Sequence, residues 1–272
     1  MKSVIRLIPV ALIALCSMAA SAFALPAAEA AAGRALLKKY ANVVVSVELV
    51  VTMKGTQGDR PIPPREQKRD VNGTMVNASG LTVLSLGSID PRGSMVLPMQ
   101  QQIRFDEPEF KEVKLRLANG TEMPARVVLK DADLDLAFIA PESPVAKPLP
   151  FVDLAVAAKA EILGTYYDIA RGSKLAQRVP AVRVINISGM IEKPRRFILA
   201  TDYSPGCPVF DAKGKVLGIT VRHVAGGQSA GLIILPAADV ADIANQAAAI
   251  KIEPVEAPAA KSETESAPEP KE

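Results

Sequence analysis

Short runs of β-branched and apolar residues recur along this chain at close intervals, each closed by Gly, Pro, Asn or Asp. That spacing restricts the fold more than any other feature. Residues 43–53 form the first and longest run. Residues 72–75 and 80–85 flank the turn Asn77-Ala78-Ser79-Gly80, and residues 113–117 and 122–129 flank Ala118-Asn119-Gly120. Asn and Gly tolerate the left-handed backbone such turns need. Asp133-Leu134-Asp135-Leu136-Ala137-Phe138-Ile139 opens a further strand. Four prolines then mark residues 141–150 as a linker. Beyond it the expected strands are 160–163, 181–188, 196–201, 216–222 and 230–235. Residues 27–40 read as a lead-in helix, and residues 236–250 as an amphipathic one with Val240, Ile243 and Ala247 or Ala248 on one side. Residues 54–70 carry three prolines, two glycines and eight charged side chains. They read as a long exposed loop, either a basic recognition element or a solvated insertion. The strand pattern fits an all-β chain and leaves sandwich and double barrel open.

The ends differ from the middle. Lys2 and Arg6 precede an apolar stretch, residues 7–20, too short for a comfortable membrane span, and Ala22-Phe23-Ala24 is a small-x-small cleavage signal. This predicts a secretion signal over 1–24, a mature chain starting at Leu25, and a periplasmic or extracellular location. An uncleaved anchor is the competing reading; Leu15 before Cys16 disfavours a lipoprotein signal. Residues 253–272 hold six Glu, four Pro and no aromatic residue, a composition expected to stay disordered.

Composition removes several function classes. The net charge of +3 falls to near +1 once Lys2 and Arg6 are cleaved away, so nucleic acid is not an expected partner. Tryptophan is absent and aromatics make up 4%, which argues against a stacking platform. The one histidine, His223, excludes multi-histidine zinc sites, and no metal or cofactor is expected. Cys207 alone remains in the mature chain, so no intramolecular disulfide is expected.

The stretch Ser204-Pro205-Gly206-Cys207-Pro208-Val209-Phe210, a turn at Asp211-Ala212-Lys213-Gly214, and Val216-Leu217-Gly218-Ile219 form a hairpin with a constrained loop at its mouth. It resembles the nucleophile loop of trypsin-like serine proteases, above all the bacterial high-temperature-requirement (Deg) branch. Counting back from Pro208, Gly206 and Cys207 take the two glycine positions and Pro205 takes the serine's. Four more stretches carry the resemblance in the same order. Residues 80–88 resemble the strand that delivers the catalytic histidine, whose position falls on Gly87. Residues 113–131 resemble the next hairpin. Asp135-Leu136-Ala137 resembles the segment of the catalytic aspartate. Gly231-Leu232-Ile233-Ile234-Leu235-Pro236 before a helix resembles the family's close.

The resemblance implies two antiparallel barrels with a cleft between them. The implied organisation is a lead-in over 25–42, a first barrel over 43–140, a linker over 141–150, a second barrel with its helix over 151–252, and the tail over 253–272. Triad chemistry needs a hydroxyl, an imidazole and a carboxylate in hydrogen-bond reach, and Gly87, Asp135 and Pro205 offer only the last. The resemblance therefore implies a serine protease homologue without activity, a pseudoprotease binding a peptide or protein. Ser88, Ser204, Gly206, Cys207 and His223 are the candidate cleft residues. Three alternatives stay open: a serine-type endopeptidase with non-standard residues, a thiol enzyme using Cys207 with His223, and a thiol-based regulatory or redox protein using Cys207.

Overall fold

In a computed structural model of the chain, residues 25–90, 92, 103–201, 203–225 and 228–250 are described, with the side chains of 223–230 excepted. The signal and tail expected at the two ends lie outside them.

Helix α1 (Ala27–Tyr40) leads into β1 (Val44–Gln57) and β2 (Arg60–Met75), a long antiparallel hairpin. There follow β3 (Thr82–Ser85), the single turn α2 (Leu86–Ile89), β4 (Ile103–Phe105), β5 (Glu109–Arg116), β6 (Glu122–Asp131) and β7 (Leu136–Pro141). Strands β2-β3-β7-β6-β5-β1 close on themselves through the β1–β2 pairing, with β4 added beside β1. The second unit holds β8 (Thr165–Arg171), a 3₁₀ turn (Lys174–Ala176), β9 (Pro180–Ile191), β10 (Phe197–Ala200), β11 (Pro208–Phe210), β12 (Val216–Ala225) and β13 (Gln228–Pro236). These six strands close in the order β10-β13-β12-β11-β8-β9. Helix α3 (Ala237–Ala249) packs Val240, Ala244 and Ala247 inward. The fold is thus two closed six-stranded antiparallel barrels, as the resemblance implied.

Strand periodicity explains how one chain fills three cores. Alternate residues of a strand point to opposite faces. In β7, Ala137 and Ile139 line the first barrel with Val45, Val47 and Leu84. Leu136, Phe138 and Ala140 point the other way, into a cluster shared with Ile169, Phe210, Ile219 and Val221 of the second barrel. All six residues of β7 are buried, which is why the strand reads as an unbroken apolar run rather than an alternating one. The second barrel has its own interior of Tyr166, Ile185, Ile187, Val209 and Ile234. Polar groups stitch the seam. Arg171 donates to the carbonyls of Val44 at 2.5 Å and Ala41 at 2.7 Å. Arg178 donates to Glu48 at 2.6 Å and Asp70 at 2.8 Å.

Two expectations are corrected. Residues 54–70 are no loop: they form the outer part of the β1–β2 hairpin, with Gly55 opposite Ile62 and Val51 opposite Gln67. Pro63 and Pro64 fall where the register shifts between Met53 and Gly55, so their missing N–H groups cost no ladder bond. Residues 160–163 are not a strand. The second barrel begins at Thr165, and its first strand buries Asp168 and Arg171.

Candidate functional site

The carboxylate of Asp135 lies at the junction of the two barrels. Asp135 sits just before β7 with φ at 56°, and is 6% exposed. Its Oδ1 accepts the N–H of Gly87 at 2.6 Å. Its Oδ2 accepts the Ser85 hydroxyl and, at 2.7 Å, the N–H of Arg222 on β12. The Ser85 oxygen accepts the same Arg222 N–H at 3.2 Å. Three donors from two barrels therefore converge on one acid. Burial pushes its pKa up to about 6, against the pull of those three donors and the Arg222 charge.

At Gly87, where the resemblance led us to expect an imidazole's position, there is no side chain, and the space is not spare. A Cβ at residue 87 would lie 3.0 Å from Asp135 Oδ1, 3.3 Å from Arg222 Cδ and 3.6 Å from Arg222 Cβ. The stem of Arg222 thus packs over Gly87. Sequence reasoning missed Arg222: nothing in a strand pattern says which neighbour a side chain will cover. Ser88 follows in α2, half-buried.

The loop expected to carry a nucleophile is reached along β12. Thr220 and Arg222 share one face of that strand by its two-residue period. Thr220 Oγ1 bonds the Ser204 carbonyl and, at 3.0 Å each, the Cys207 N–H and carbonyl. The Gly206 N–H donates to the Thr220 carbonyl at 2.7 Å, and the Gly206 carbonyl accepts the Thr74 hydroxyl at 2.8 Å. Gly206 has φ at 80°, and a Cβ there would meet the Asn72 carbonyl at 2.2 Å, so no side chain fits. The loop is clamped between β12 and the first barrel. Pro205 is half-buried and has neither a hydroxyl nor an N–H to present to an oxyanion.

Two of the expected cleft residues turn inward instead. Cys207 is fully buried, since Thr220 ties its main chain down and its side chain joins the core between the barrels. Burial raises the thiol's pKa well above its usual value, the reverse of what a reactive cysteine needs. Gly206 is likewise buried against Asn72. The Ser204 hydroxyl accepts a hydrogen bond from Arg183. Arg183 also lies 3.2 Å from Asp168, as an electrostatic neighbour rather than a well-aligned hydrogen bond. Asp168 is wholly buried, and burial pushes its pKa up to about 7. Burial, and after it the Asp168 charge, raise the pKa of the enclosed Tyr203 hydroxyl, which has no hydrogen-bond partner among the described residues. Of His223 only the backbone is described, paired with Gly231 on β13. The expected separation of its ring from Ser204 lies outside the described residues.

Among the described residues no group of three or more His, Cys, Asp or Glu could hold a metal ion, and no helix is long and apolar enough to cross a membrane. No family model matches the chain, and no curated protein matches it. Solved structures do match in shape. One is the protease domain of MamO from Magnetospirillum magneticum, in its apo form: 18% identical, covering 71% of this chain and 94% of that one, with a TM-score of 0.45. The double-barrel fold rests on the strand pairings themselves.

Proposed function

We propose that the chain is an exported, catalytically inactive member of the Deg branch of trypsin-like proteins, and that it binds a peptide or protein partner in the cleft between its barrels. The proposal takes residues 1–24 as a signal, Leu25 as the mature start, and residues 253–272 as a tail outside the folded unit. The observation that carries it is the state of the acid at the barrel junction. Asp135 spends its two oxygens on Gly87, Ser85 and Arg222, with an arginine stem lying where an imidazole would stand. A triad aspartate orients a histidine; this one holds two barrels together. The loop loses its hydroxyl and one oxyanion donor at Pro205. General-base catalysis is typically worth about 10²–10⁴-fold, and one oxyanion donor about 10²–10³-fold. Binding needs neither, because such a cleft can take an extended peptide through main-chain bonds.

The alternative thiol enzyme is disfavoured by the burial of Cys207, and a serine enzyme using Ser204 by the arginine on its hydroxyl. A fluorophosphonate probe and a cysteine-alkylating probe, applied to the mature protein beside a denatured control, separate the readings. The proposal expects no label on the folded protein from either. Labelling lost on Ser204→Ala or Cys207→Ala would establish the corresponding enzyme.

A further inference from the structure

The junction carries a cation whose side chain makes no hydrogen bond among the described residues. Arg222 commits its main-chain N–H to Asp135 and Ser85, and its stem lies against Gly87. Its guanidinium makes no hydrogen bond or ion pair with any described residue, although its Nε is buried. Four other arginines have charged or carbonyl partners, although the Nε of Arg178 is, like that of Arg222, buried without a hydrogen bond. Arg171 is spent on backbone carbonyls, Arg178 on Glu48 and Asp70, Arg116 on Glu48 and Glu122, and Arg183 beside Asp168. Asp135 feels the Arg222 charge, but its oxygens are already occupied by the Ser85 hydroxyl and the N–H groups of Gly87 and of Arg222 itself. Buried polar atoms are normally paired, and a guanidinium offers donors in a planar fork that matches a carboxylate. The residue is only partly buried, so an incoming group can reach it. It also shares a strand face with Thr220, which holds the loop of Pro205.

From this geometry we infer that Arg222 is a specificity-determining residue of the cleft and binds a carboxylate of the peptide ligand, either an acidic side chain or a free C-terminus. The inference rests on the peptide-binding reading above and adds the chemistry that the cleft selects. The histidine's space has been taken over by an arginine that reads ligand charge.

The test uses randomised peptide pools measured by fluorescence anisotropy against the mature protein. One pool is acetylated and amidated with a fixed central glutamate. A second replaces that residue by glutamine. A third keeps the glutamine and has a free C-terminal carboxylate. Hydrogen bonds to charged groups are worth enough to separate the pools by about tenfold or more. The inference expects the first or third pool to bind roughly tenfold tighter than the second, the difference shrinking with added salt. Which of the two is preferred tells side chain from terminus. Arg222→Met keeps the stem over Gly87 and should abolish the preference, and Arg222→Lys should keep part of it; thermal unfolding checks that both are folded. Equal binding of all pools by the unmodified protein would overturn the inference and leave the peptide-binding reading standing. A preference that survives in folded Arg222→Met would also overturn it. No binding of any pool would overturn both.

Discussion

Gly206 shows how narrowly the site is drawn at the level of single residues. Its φ of 80° suits glycine, and the atom a side chain would meet, the Asn72 carbonyl, is backbone that cannot swing aside. Gly206→Ala should therefore cost about 3 kcal/mol through backbone strain and overpacking. Thermal denaturation should show a fall in Tm of several degrees; an unchanged Tm would mean that the loop is not clamped against β2. Asp135 makes the complementary case. Removing its carboxyl strands the Gly87 and Arg222 N–H groups and the Ser85 hydroxyl at the seam. Asp135→Ala should cost about 2–4 kcal/mol by chemical denaturation. Asp135→Asn, which keeps an acceptor, should cost clearly less. Equal losses would show that the acid acts by volume alone.

At the level of elements, α2, β12 and the loop between β10 and β11 meet as a set, and this bears on reactivation. Gly87→His and Pro205→Ser would install two side chains at the positions that the proposed resemblance assigns to the triad. The new imidazole would still face the Arg222 stem, which already stands 3.3 Å from the Cβ site. The double variant should stay unlabelled by fluorophosphonate, and adding Arg222→Ala should clear the space and allow weak labelling. Labelling of the double variant alone would show that Arg222 moves aside freely. The same elements show how far the sequence was readable. The turns at Asn77–Gly80 and Asn119-Gly120, helices α1 and α3, β7 and β12 were legible from periodicity and turn chemistry. The outer part of β2 was not, because Pro61, Pro63 and Pro64 read as loop residues; they are tolerated where β2 has only β1 beside it and the register shifts. Strand β8 was hidden by Asp168 and Arg171, whose burial depends on partners elsewhere in the chain. Gly87, Asp135 and Pro205 were singled out by counting motifs. The inward turn of Cys207 and the packing of Arg222 are tertiary contacts with no local signature.

For the whole molecule, two buried acids set the pH response. The folded-state pKa values of Asp135 and Asp168 are raised from the usual carboxylate value of 3.8 to about 6 and about 7. A raised acid pKa means that the folded state binds more protons than the unfolded state between about pH 4 and 7. Stability from these groups therefore falls as pH rises through that window, by a few kcal/mol in all. Glu48, whose pKa its arginine partners lower, works in the opposite sense but is largely solvent-screened. The mature protein should melt at a higher temperature near pH 5 than near pH 8, and Asp168→Asn should flatten the difference. A Tm that rises from pH 5 to 8 would show that the acids are better satisfied than their burial implies. The central claim is that this double barrel keeps the cleft of a protease without its chemistry. The most direct measurement is cleavage of a randomised peptide pool by the purified mature protein, followed by mass spectrometry beside Ser204→Ala and Cys207→Ala variants prepared identically. The account predicts no products above those of the variants. Products formed by the unmodified protein and missing from either variant would contradict it.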